Sequence, residues 1–203
     1  MYWQRLDRDN TVKVIDSVKS VAEAGLFSPA TSEVERAGLP FYSGNIALYK
    51  ITNFASLPSF TFEYLGDGLF FTYLDGTDEP IYTLNDKGLL TLNEGSVLEY
   101  LDFYFAHAMI EDEEMYFIRN VHDMPLLDSL DMDSAAEVTR NHRPATVAYD
   151  AGFDKYTVEA DIYAEGLMLR ATIEVTASGR VTITHRRMIV NAIANSFSSG
   201  IMV

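Results

Sequence analysis

The strictest constraint on this chain is the alternation in its final third. In "KYTVEADIY", residues 155–163, Tyr156, Val158, Ala160 and Ile162 alternate with Lys155, Thr157, Glu159 and Asp161. A period of two places the first set on one face of a strand and the second set on the other. "LMLRATIEVT", residues 167–176, repeats the pattern, with Leu167, Leu169, Ala171, Ile173 and Val175 set against Met168, Arg170, Thr172 and Glu174. "ASG" then leads into "RVTITH", where Val181 and Ile183 continue the apolar face. A three-residue link ending in Gly179 suits a type I turn followed by a bulge. These features predict an antiparallel meander with one wet face.

Upstream, the pattern switches twice. Val14, Ile15, Val18, Val21 and Ala22 recur at helical spacing over 11–24, with Asp9 or Asn10 as the cap and Gly25 as the stop. "SPATSEVERAGLP" reads as a loop or short helical turn. From Asn45 onward, "IALYKIT", "FTFEYL", "LFFTYL" and "PIYTL" read as short strands. "GDG" between the second and third supplies the positive φ of a hairpin turn. The aromatics of this region, Phe54, Phe60, Phe62, Phe70, Phe71, Tyr73 and Tyr82, are read as core and covered sheet face. "SVLE" at Ser96 has the form of a capping box, and Val97, Leu101, Tyr104, Phe105 and Ala108 line one face of a helix over about 96–109. "MYFIRN", 115–120, is a further short strand.

The predicted class is therefore α+β: an N-terminal helix, an antiparallel β-meander, a central capped helix and a C-terminal antiparallel β-meander. One domain over 1–203 is expected, with room for two lobes, about 1–120 and 144–203, joined by an acidic connector at 121–143.

Charge narrows the function classes. The net charge is −15, and a nucleic-acid binder or a peripheral protein of anionic membranes needs the opposite field. No nucleic acid and no membrane are expected as partners. There is no cysteine, which removes disulfides, thiolate metal sites and cysteine nucleophiles. With no signal-like N-terminal apolar core in "MYWQRLDRDN" and no run of about 18 apolar residues, a cytoplasmic location is expected. The apolar tail from Met188 reads as a packed terminal segment. The chain has no Walker A loop, G-x-S-x-G elbow, H-E-x-x-H or G-x-G-x-x-G.

Three constellations remain. Residues 107–137 hold nine acidic groups and a single basic one, Arg119. Within "VHDMPLLDSLDMDSAAEVTRNH", 121–142, His122, Asp123 and His142 are candidate metal ligands, because imidazole with carboxylate suits zinc, iron or manganese. A calcium loop started at Asp131 fails, since Ala135 and Ala136 replace the third ligand and the turn glycine. The bland reading of this stretch has Asp128 and Asp133 capping turns while Leu126, Leu127 and Leu130 dock the segment. His107 with "EDEE", 111–114, reads as a half-buried helix-end histidine beside a solvated turn. Arg140, His142 and Arg143, with His185, Arg186 and Arg187, are candidate anion-binding residues, which Arg170 and Arg180 could extend.

"EVERAGLP", Glu33–Pro40, followed by strands and a helix, resembles a family of acidic immunity and scaffold proteins. The Asn-Gly-Gly such proteins usually carry soon after Leu-Pro is missing here. The resemblance implies an acidic partner for a basic toxin. The residues themselves lead instead to a non-enzymatic ligand- or protein-binding module with no cofactor, as a monomer or a homo-oligomer. The alternative is a small metal-dependent or anion-binding enzyme built on His122, His142 and Arg143.

Overall fold

The structure is a computed structural model that describes residues 1–21, 25–110, 113–125 and 127–191. The last turn expected for the first helix, Glu111 and Asp112 of the acidic run, Leu126 and the tail beyond Asn191 lie outside the described residues. The fold is α+β, with four α-helices and two antiparallel five-stranded sheets among the described residues. The chain divides into two compact units, Met1–Thr91 and Leu92–Val203. The division thus falls before the central helix, and the acidic stretch 121–143 lies within the second unit.

In the first unit, strand β1 (Trp3–Arg5) is followed by helix α1 (Arg8–Val18) and strands β2 (Ser32–Gly38), β3 (Ala47–Asn53), β4 (Phe60–Gly66) and β5 (Phe71–Tyr73), paired in sequence order. The α1 cap is Asp7 and not Asp9 or Asn10: its carboxylate accepts from the Asn10 amide at 2.8 Å. Thr11, Val14, Ile15 and Val18 form the buried stripe. They pack on Val34, Ala47, Tyr49, Ile51 and Tyr64 of the sheet, with Phe27, Phe60 and Phe62 beside them.

Two segments depart from the sequence reading. "SEVERAG" is strand β2 and not a loop, because its alternating charges find cross-strand partners: Glu33 binds Arg5 and Glu35 binds Lys50, each at 2.6 Å. "PIYTL" belongs to helix α2 (Glu79–Leu84), not to a strand; Pro80 occupies its first turn, where the missing N–H costs nothing. A π-helical turn, Asn85–Leu89, extends it, and the buried Asn85 carboxamide accepts from the Tyr42 hydroxyl at 2.7 Å. Beyond that turn, Leu90 makes an isolated antiparallel bridge to Tyr42. Of the clustered aromatics, Phe71 and Tyr82 are buried, whereas Phe54 and Phe70 are exposed.

In the second unit, helix α3 (Val97–His107) starts where the spacing predicts, but without the capping box. The Ser96 hydroxyl accepts from the Asn93 amide, while the Asn93 side chain accepts from the amides of Gly95 and Ser96. Strand β6 (Met115–Ile118) follows, and the acidic stretch then forms two single-turn helices and helix α4 (Met132–Asn141). Asp131, not Asp133, caps α4, accepting from the amides of Asp133 and Ser134. Those amides and the Ser134 hydroxyl hold its carboxyl below the usual range, Ser134 contributing most. Strands β7 (Thr146–Asp150), β8 (Lys155–Ala164), β9 (Leu167–Thr176) and β10 (Val181–Asn191) complete the unit. β10, β9, β8 and β6 pair in that order, and β7 also pairs with β8. β10 has two register shifts, at Thr184 and at Ile189.

The faces of this sheet are used differently. Val158, Ala160, Ile162, Ala171, Ile173 and Val175 are buried on the face that the alternation predicts. Phe117 of β6, on that face, meets Phe105 of α3 at a 5.6 Å ring separation. The opposite face is wet only at one end. Near the β8–β9 turn it carries Ile118, Tyr163, Met168 and Val190, which Val138 of α4 and Met124 cover, with Leu127 and Leu130 packed alongside.

Gly66 lies against the Phe70 carbonyl and the Phe71 ring, so an added Cβ would collide with both, while Gly38 has open space at the same atom. Gly66→Ala is expected to destabilise the first unit by about 1–3 kcal/mol and Gly38→Ala to be close to neutral, read by urea unfolding. Burial pushes the Tyr42 phenol far above its ordinary value and, with the nearby Tyr73, raises Tyr64 to about 12. Because the folded state favours the neutral phenols, their stabilisation is complete below the ordinary value of 10.0 and is lost as pH rises through the folded values. Unfolding with a tyrosinate absorbance step above pH 10 should therefore set in earlier as pH increases.

Candidate functional site

Strand alternation alone would leave Asp161 facing water. Its side chain is instead 0% exposed, and three donors converge on it. Arg170, its direct cross-strand partner on β9, donates Nε to Oδ1 at 2.6 Å. His142 Nδ1 and the Arg143 amide both reach Oδ2 at 2.9 Å. A carboxylate only accepts, so the His142 hydrogen sits on Nδ1. His142 is the residue that ends α4, its amide still bonded to the Val138 carbonyl at 2.9 Å. The carboxylate thus fastens the end of the covering helix to the sheet.

Arg187 of β10 lies opposite Arg170, next in the row that runs Ile118, Asp161, Arg170, Arg187 across four strands. The bulge at Thr184 brings it there. Ile183 is opposite Ile173, but His185 is opposite Thr172, so one extra residue reverses the parity. His185 and Arg187 consequently share the α4 side, while Arg186, opposite Ala171, belongs to the other side and bonds to Glu113 at 3.2 Å.

The six candidate anion-binding residues are therefore divided. His142 and Arg143 meet at Asp161, Arg187 lies beside Arg170, and His185 is one row further along. The guanidinium of Arg143 turns back to the carbonyls of Arg140 and His142, at 3.0 and 2.8 Å. Among the described residues Arg140 contributes only this carbonyl, and Arg186 is directed elsewhere. Asp161 and Arg170, which complete the cluster, are the residues that carry its geometry. Sequence alternation placed both on one face but held no sign that α4 would seal over them.

Metal binding has no comparable assembly. Among the described residues, no group of three or more His, Asp or Glu side chains is placed to hold a metal ion. Asp123 accepts from the Asn120 amide in a single-turn capping box, and His142 is committed to Asp161. His122, Asp123 and His142 are thus not gathered as a three-ligand set. His107 sits at the end of α3, its Nδ1 at 2.6 Å from the Phe103 carbonyl and its ring 4.6 Å from that of Phe103.

The Asp161–His142 pair has the form in which a carboxylate orients an imidazole for base catalysis. No hydroxyl is bonded to the other ring nitrogen among the described residues, so the nucleophile of such a triad is missing. Among the described residues every buried side-chain nitrogen and oxygen has a partner. No family model, curated protein or solved structure matches the chain. Among the described residues no helix is long and apolar enough to cross a membrane.

Two salt bridges between the same strands provide an internal comparison. Arg170–Asp161 ends on a fully buried carboxylate, whereas Lys155–Glu174, also 2.6 Å, has both side chains partly in water. Arg170→Met should cost about 3 kcal/mol or more, because a buried charge loses its partner. Lys155→Met should cost about 1 kcal/mol or less. Equal losses in urea unfolding would show that Asp161 is not the buried anchor described.

Proposed function

We propose that the protein is a cytoplasmic, non-enzymatic binding module that engages a small molecule or a protein partner. The observation that carries this reading is the saturation of Asp161: in the one buried carboxylate–imidazole pair among the described residues, both carboxylate oxygens and His142 Nδ1 are committed to holding α4 to the sheet. A reactive base needs a proton to take, and His142 is bonded to no hydroxyl among the described residues. The acidity and the lack of cysteine are in keeping with such a module in a reducing compartment.

The same pair supports one second reading, an enzyme in which a substrate hydroxyl or water completes the arrangement at His142. The two readings separate on a hydrolase and transferase substrate panel. The binding-module reading expects no turnover above background from the purified chain. Turnover that His142→Gln abolishes, with the thermal melt unchanged, would establish the enzyme instead.

A further inference from the structure

Resting on that reading of the chain as a binding module, we propose that the cleft beside Tyr116 and Tyr163 binds an organic ammonium ion. Tyr116 of β6 and Tyr163 of β8 are direct cross-strand partners, their ring centroids 6.2 Å apart and their planes inclined by 53°. They form one wall of a cleft of about 520 Å³ whose other described lining residues are Pro125, Glu113, Glu114, Glu165 and Gly166. Two aromatic rings and three carboxylates thus border one space, with no basic side chain among the described residues of its lining.

The lining selects its occupant by elimination. Three carboxylates repel an anion. A neutral apolar ligand would use the rings but would strip water from the carboxylates without return. A bare divalent metal ion needs several oxygen ligands closing to between about 2.0 and 2.6 Å, and no such group of three is gathered among the described residues. An alkylated ammonium fits both halves of the lining. Its diffuse charge is drawn to the negative faces of the tyrosine rings, and its weak hydration makes entry into a half-dry cleft inexpensive.

The carboxylates are unequally committed. Glu114 accepts the Tyr116 hydroxyl, which raises that phenol's pKa and keeps it neutral. Glu113 receives Arg186 at 3.2 Å. Glu165 is exposed at the β8–β9 turn, where it adopts φ 49° beside Gly166 at φ 82°, and it has no ion-pair partner among the described residues. It is the charge left over for a ligand.

The test is a titration of the full chain with tetramethylammonium chloride, followed by NMR of the tyrosine ring protons, with sodium chloride holding ionic strength constant. Tert-butanol, similar in shape and uncharged, is the paired probe. Saturable shifts are expected with the cation and none with the alcohol. Tyr116→Leu should weaken binding about tenfold or more, the loss of one desolvated ring face. Glu165→Gln, at an exposed turn, should weaken it several-fold with the melt unchanged. Equal binding of the alcohol, displacement of the cation by magnesium, or no saturation up to about 10 mM would each overturn the ammonium site. Unaltered affinity in Glu165→Gln together with a folded Tyr116→Leu would do the same. Turnover in the substrate panel would instead remove the binding-module reading, and it is measured separately from these shifts.

Discussion

A carboxylate removed from water is tolerable only where donors replace the water, and the second unit is organised around that requirement. Asp161 takes a side chain from β9, the side chain that ends α4 and the next backbone amide. These donors come from different elements, so the charge is satisfied only when sheet and helix are both in place. Directional bonding at this point also fixes register. A slip of one residue in β8 would carry Asp161 to the apolar face, where Ala160 and Ile162 now lie buried. Such an arrangement adds little net energy compared with a well-packed apolar group. Its contribution is to single out one way of laying α4 on the sheet.

Several acidic groups elsewhere do local work. Asp7 and Asp131 cap α1 and α4, Asp67 and Asp75 take turn amides, and Asn120 with Asp123 closes a single turn. The Asp67 carboxyl is held low by the amides of Phe70 and Leu69. Asp102 runs the other way: its place on α3 raises its pKa through burial, against the pull of Arg119 at 2.7 Å. Within the acidic stretch, Asp123 and Asp131 thus serve a turn and a helix start.

How much could be read in advance followed from how local the determinants are. The apolar face of β8 and β9 and the cores of α1 and α3 depend on periodicity, which the residues display directly. β2 was hidden because its strand character rests on Arg5 and Lys50, far along the chain. α2 was hidden because Ile81 and Tyr82 favour strands while Pro80 and the tertiary packing favour a helix turn. At the candidate site, His142 and Arg143 were legible as basic groups, but their target, Asp161, looked like one more wet residue. The pairing of Arg170 with Arg187 depended on a bulge that no residue type announces.

That bulge has a further consequence, for how the molecule behaves in company. β10 is eleven residues long and has β9 as its only sheet neighbour among the described residues. A regular edge of that length is a template on which a second chain can add itself. The interruptions at Thr184 and Ile189, with His185, Arg186 and Arg187 between them, break the even row of donors and acceptors such an addition needs. The irregularity that aims Arg187 at Arg170 thus also keeps the margin of the sheet from being copied.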